Sequence, residues 1–168
     1  MMKPGDHVLR RPDLYIGRVQ PLTEKMWVYE ANTQQIVHKT IKYSPGLFKI
    51  FDEILVNAVD NKKNVEPENL LQMNTISVNF DKDKNEIKVR NNGKGISIIY
   101  QLNIITNKEM LVPTMVFGEM LTSSNYDDDQ AKTVGGRNGV GAKACNVFSK
   151  KFTVETACKQ DKQHYSQC

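Results

Sequence analysis

The sequence predicts an α+β fold of antiparallel strand pairs with helices packed on one face. Three observations carry this. Residues 75–80 and 86–91 alternate apolar and polar with period two, on either side of a polar cluster. Residues 47–61 are apolar around most of a helical circumference. Two further stretches read as helices, 112–121 with Pro113 in its first turn and 139–148 after a glycine-rich loop.

The elements follow in order. Residues 1–17 hold Pro4 and Pro12 and end at Gly17, which gives a short helical turn followed by a loop or arm. Met26–Tyr29 is apolar, aromatic and β-prone, and Ile36–Tyr43 alternates loosely, so the two pieces form a hairpin. Ser44-Pro45-Gly46 breaks the pattern and starts the long helix at about Leu47. Residues 61–74 are polar, contain Pro67, and read as a loop with room for one helical turn. Thr75–Phe80 and Glu86–Asn91 are strands joined through Asp81–Asn85. Pro113 sits in the first turn of the helix from Val112. Residues 122–138 form a long polar loop, a length usually tied to function. A helix runs from about Gly139 to Phe148, Lys151–Thr156 is a strand, and the last residues could begin another.

At 168 residues the chain is one domain, long enough to bury a core without staples. With 39% hydrophobic and 25% charged residues it is globular rather than disordered. The net charge of +4 is compatible with a polyanionic partner but scattered. Cys145, Cys158 and Cys168 are odd in number and lack metal-ligand spacing, which argues against a disulfide framework. There is no signal peptide and no apolar run long enough to span a bilayer, so no membrane is expected.

The long helix carries the first candidate site. At about 100° per residue, Glu53, Asn57 and Asp60 fall within roughly 60° of one another. A carboxylate one turn from an amide, among apolar residues, suits a site that activates water beside a bound cation. The alternative is a surface helix with an ordinary solvated face.

Three other segments could join it. Arg90–Ile96 places Gly93 and Gly95 directly after a strand, allowing a tight turn and close backbone approach to a ligand. Asn91 at the strand end can both donate and accept, as an adenine edge requires. An Asn-Gly hairpin turn explains the same residues. In Leu121–Asp129, Ser123, Ser124 and Asn125 could bond ribose and phosphate oxygens, or belong to a plain polar loop. Gly135–Lys143 offers four glycines, Arg137 and Lys143 at a helix start, a candidate phosphate cradle. It is not a Walker A loop, because Ala142 separates Gly141 from Lys143 and Ala144 holds the hydroxyl position. Gly139, Gly141 and Ala144 match a dinucleotide fingerprint loosely, but after a polar loop rather than a strand.

Together these segments resemble the GHKL (Bergerat-fold) ATPase region of type II DNA topoisomerases. The helix with Glu53 and Asn57, the Asn-x-Gly-x-Gly turn and the Gly-rich lid occur in that family's order. Arg11–Gly17, Met26–Tyr29, Pro45–Ala58, Leu121–Asp129 and Gly135–Lys143 look like the eukaryotic-type enzyme in particular. The resemblance covers about His7 to Tyr165, whereas other GHKL ATPases share only the short core signature. It implies a Bergerat fold over residues 1–168, built on a mostly antiparallel or mixed sheet.

It also implies roles. Glu53 is similar to the general base that polarises the water attacking the γ-phosphate, and Asn57 to the Mg²⁺ ligand. One amide oxygen suffices, because Mg²⁺ completes its octahedron with phosphates and water. Asn61 would touch ribose or phosphate, and Asn91 would read the adenine amino group. Gly93 and Gly95 would shape the adenine pocket. Ser123, Ser124 and Asn125 would contact ribose and phosphate. Gly136, Arg137, Asn138, Gly139, Val140, Gly141, Ala142 and Lys143 would form the lid over the triphosphate. The implied cofactors are ATP and Mg²⁺. The implied setting is a nuclear homodimer that passes one DNA duplex through another.

The sequence departs from the family in several places. The second (transducer) subdomain with its γ-phosphate lysine and the DNA cleavage core are not matched, so weak or absent turnover is expected of this stretch alone. The start falls after the family's dimerising arm. Val140 stands where an aromatic is usual and Ser97 where proline is usual. Residues 65–73 and 100–110 are longer than typical. The competing readings are a non-hydrolysing nucleotide-binding module and a GHKL ATPase acting on protein.

Overall fold

The computed structural model describes residues 4–63, 73–120 and 139–168. Helix α1 (Pro4–Arg10) is followed by a 3₁₀ turn at Pro12–Leu14. Strands β1 (Leu22–Glu30) and β2 (Gln35–Tyr43) lead into the long helix α2 (Pro45–Lys63). Then come β3 (Ile76–Asp81), β4 (Glu86–Asn91), β5 (Tyr100–Asn103) and β6 (Lys108–Leu111). Helices α3 (Val112–Gly118) and α4 (Gly141–Phe148) precede β7 (Val154–Cys158) and β8 (Gln163–Gln167).

Every ladder is antiparallel, and the described strands pair as β1–β2, β3–β4, β5–β6 and β7–β8. Each ladder aligns end to end: Leu22 with Tyr43, Ile76 with Asn91, Tyr100 with Leu111, Val154 with Gln167. The four turns share one construction. Each spans four residues, and the last takes a left-handed backbone: Gln34, Asn85, Asn107 and Lys162, with φ of 51–55°. Asp81 and Asn103 tighten two of them. Asp81 Oδ1 accepts from the N–H of Asp83 and Lys84, and Asn103 Oδ1 from Ile105 and Thr106.

The β5–β6 hairpin was legible only as an overlong stretch, because Leu102–Ile105 does not alternate. Helix α2 starts two residues earlier than the sequence indicates, since Ser44 caps it. The Ser44 carbonyl accepts from Phe48 N–H, and its hydroxyl donates to the Val19 carbonyl.

Helix α4 is the hub. It packs against α1, α2 and α3. Its small residues Gly141, Ala142 and Ala144 permit that approach, and Ala142 and Ala144 are buried. Val8 from α1, Ala58 from α2, Met73 and Cys158 complete a small core. Phe51 stacks on Phe80 at 5.2 Å, tying α2 to β3, and Phe117 meets Phe152 at 6.0 Å. The β1–β2 hairpin is joined near its base, where Gly46 N–H donates to the Arg18 carbonyl. Its Trp27 stacks on His38 and is 70% exposed. No described helix is long and apolar enough to cross a membrane.

Candidate functional site

The site is built on α2. Glu53, Asn57 and Asn61 recur every fourth residue and so lie along one stripe of the helix. At 1.5 Å rise per residue, the stripe from Glu53 to Asn61 spans roughly 12 Å. Each end of it meets a different segment of the chain.

At the Glu53 end stands the first turn of α4. A Cβ on Gly141 would overlap Glu53 Oε2 and lie 2.6 Å from its Cδ, so only glycine admits the carboxylate there. The other oxygen, Oε1, pairs with Lys49 Nζ at 2.5 Å. Hydrogen bonding to Glu53 lifts the Lys49 ammonium above its ordinary range, against a smaller pull from burial. The i,i+4 relation of Lys49 to Glu53 is readable in the sequence, but the part of Lys49 becomes visible only once Gly141 is placed.

At the Asn61 end stands the β4 turn. Asn61 Nδ2 donates to Asn91 Oδ1 at 2.9 Å and to the Lys94 carbonyl at 3.0 Å. Gly93 N–H also donates to Asn91 Oδ1, at 3.0 Å. A Cβ on Gly93 would fall 2.7 Å from Asn61 Nδ2 and 3.0 Å from Met73 Sδ. Two donors thus converge on the Asn91 amide oxygen.

The loop after Asn91 is anchored to the β7–β8 hairpin. Ile96 N–H donates to Thr156 Oγ1 at 3.0 Å. Asp161 Oδ2 accepts from Ser97 Oγ at 2.8 Å and from Ile98 N–H at 2.6 Å. Hydrogen bonding from Ile98 N–H foremost, then from the Cys158 and Ser97 side chains, holds the Asp161 carboxyl below its usual range. A serine at 97 gains this bond to Asp161, which a proline could not make. A Cβ on Gly95 would overlap the Ala157 carbonyl oxygen, so this glycine serves close packing of backbone on backbone.

Asn57 lies between the two ends. It is exposed, and its amide has no hydrogen-bond partner among the described residues. In α4, Val140 is the N-cap and Gly139 has a φ of 58°. Lys143 is only 2% exposed and donates from Nζ to the Gly139 carbonyl at 2.7 Å. Burial lowers its pKa to about 8, opposed by the charge of Glu119. The lysine thus folds back over the first turn of its own helix.

The structure brings Glu53 to Gly141, and Asn61 to Asn91 and Gly93, with Asn57 between them. Ser123, Ser124, Asn125, Gly136, Arg137 and Asn138 lie outside the described residues. Lys49, Met73 and Asp161 were not anticipated from sequence: only the i,i+4 spacing to Glu53 marks Lys49, and nothing local marks Met73 or Asp161.

Residues 42–164 match the family model described as histidine kinase-, DNA gyrase B- and HSP90-like ATPase. The chain is 50% identical over 162 residues to DNA topoisomerase 2 of Drosophila melanogaster, covering 96% of this chain and 11% of that protein. It is also 50% identical over 162 residues to human DNA topoisomerase 2-beta, covering 9% of it. Among solved structures it is similar to the ATPase region of Saccharomyces cerevisiae topoisomerase II, with a TM-score of 0.87 and 46% identity, over 99% of this chain and 42% of that one. The ATPase and transducer domains of Balamuthia mandrillaris topoisomerase II match with a TM-score of 0.88 and 47% identity, over 99% of this chain and 40% of that one. The stripe on α2, the glycine turn after β4 and the glycine-rich start of α4 therefore stand in a known frame: the chain belongs to the histidine kinase-, DNA gyrase B- and HSP90-like ATPase family.

Proposed function

We propose that this chain is the ATP-binding region of a eukaryotic-type DNA topoisomerase II, and that α2 is the floor of its nucleotide site. The observation that carries the reading is the stripe itself. Its Asn61 end meets Asn91 and Gly93, and its Glu53 end meets the helix start at Gly141. A span of roughly 12 Å suits a nucleotide laid from base to terminal phosphate. Likeness to topoisomerase II ATPase regions over 99% of the chain supports the assignment.

In this reading the adenine lies by Asn91, Gly93 and Gly95, the ribose and inner phosphates pass Asn61 and Asn57, and the γ-phosphate rests on the start of α4. Backbone N–H groups there favour an anion, and Lys143 adds its charge on leaving the Gly139 carbonyl. Ser123, Ser124 and Asn125 belong to the ribose and phosphate contacts, and residues 136–143 to the lid. Glu53 Oε2 accepts a proton from the attacking water. The water oxygen bonds to the γ-phosphorus while the bond from that phosphorus to the β,γ-bridging oxygen breaks. The exposed Asn57 amide fits a Mg²⁺ ligand, and Mg²⁺ supplies neutralisation of the phosphate charge when bound.

The chain spans about a tenth of the relatives it matches. In the whole protein, ATP binding would close a homodimer around a DNA duplex in the nucleus, and hydrolysis would reset it. The test is calorimetric titration with a non-hydrolysable ATP analogue and Mg²⁺. Binding to the wild-type chain, weakened at least about tenfold in Asn57→Ala, is expected; tenfold corresponds to about 1.4 kcal/mol. No binding to well-folded wild-type chain would overturn the reading.

A further inference from the structure

We infer that Lys49 is a positioning residue for Glu53. It fixes one carboxylate oxygen so that the other faces the first turn of α4. The inference rests on the reading of Glu53 as the general base.

The two oxygens of Glu53 have different surroundings. Oε1 is held by Lys49 Nζ at 2.5 Å, while Asp52 Oδ2 is a distant second partner of that lysine at 3.9 Å. Oε2 is the oxygen that a Cβ on Gly141 would strike. Rotation about the last torsion of a glutamate is soft, so an unpaired carboxylate would sample many planes. Pairing at Oε1 selects one plane, and the missing side chain of Gly141 leaves room for Oε2 over α4.

The pair is poorly suited to the bland purpose of stabilising a helix. Lysine stands four residues before glutamate, the weaker order, because the opposite one complements the helix dipole. Nor is it an ordinary surface pair: the Glu53 side chain is 25% exposed against 47% for Lys49. The lysine reaches inward to a carboxylate that the neighbouring helix partly covers. A general base must lie within hydrogen-bond reach of its water, and small misplacements are costly in rate.

The experiment is steady-state ATP hydrolysis by the full-length protein carrying Lys49→Met, Lys49→Arg, Glu53→Gln, or Lys49→Met with Glu53→Gln. Lys49→Met should lower kcat roughly tenfold to a hundredfold while KM stays within about twofold. Lys49→Arg should restore most of the rate, since it keeps a cation at that reach. Added to Glu53→Gln, Lys49→Met should cost nothing further, because its effect passes through Glu53. Thermal midpoints of Lys49→Met and Lys49→Arg should agree. An unchanged kcat in Lys49→Met, or an equal loss with and without Glu53, would overturn the positioning role. Wild-type turnover in Glu53→Gln would instead remove the general-base reading, which separates the two failures. A full-length wild-type protein without turnover would remove both.

Discussion

Single residues decide how tightly the site is drawn, and two glycines show that the same substitution can have opposite consequences. At Gly95 an added methyl meets the main chain of β7, which has nowhere to go. Gly95→Ala is expected to cost about 2 kcal/mol or more in denaturant unfolding, as overpacking against fixed atoms does. At Gly141 the obstacle is the end of the Glu53 side chain, which can swing aside. Gly141→Ala should therefore stay within about 1 kcal/mol of wild type in the same unfolding measurement, yet lower kcat in ATP hydrolysis. Lys143 predicts a pH dependence for the proposed nucleotide site. Its pKa of about 8 lies below the ordinary 10.5, so the charged form opposes folding below pH 8, and that penalty fades as pH rises toward 10.5. A polyphosphate favours the charged form. Binding near pH 8 should then take up a proton, and affinity should fall as pH rises further. Titrations in two buffers of different ionisation enthalpy measure the uptake, and Lys143→Met should abolish it.

At the scale of elements, repetition is the main finding: one four-residue turn closes every hairpin among the described residues. Asparagine tolerates the left-handed position well, and Asn85 and Asn107 occupy two of the four places. Gln34 and Lys162 occupy the others with no side-chain advantage there. Gln34→Gly should stabilise the protein by about 0.5 kcal/mol, read as a shift in the unfolding midpoint, because relief of backbone crowding exceeds the flexibility gained by the unfolded chain. Which elements were legible follows from the same physics. The pair 75–80 with 86–91 announces itself by alternation, and the pair 26–29 with 36–43 by β-prone apolar and aromatic residues beside a loosely alternating stretch. The β5–β6 hairpin does not, since it is specified by the Asn103 side chain reaching to Ile105 and Thr106 rather than by a buried face. Asn103 and Asn107 bracketing the turn were the available signal. β7 lies later than read, because Lys151–Thr153 leads into the ladder without pairing in it.

For the whole molecule, the site was legible wherever residue type restricts chemistry. A carboxylate and an amide one turn apart on an apolar helix, and glycines at a helix start, are unusual enough to read directly. Lys49, Met73 and Asp161 were not legible, because their roles exist only after distant segments meet. Asp161 acts across the gap from the β7–β8 turn to the loop after β4, and Met73 closes against Gly93. The four hairpins that share no ladder among the described residues also imply an order of assembly. Each ladder joins near neighbours in sequence, so its zipper can close in about 1–10 μs without waiting for the others. The meetings of α1 and α2 with α4 join segments far apart along the chain and must pay a large loop-closure entropy. Hairpins should therefore form early and the two ends of the stripe meet late, so that partly folded chains already carry strands before the stripe is framed.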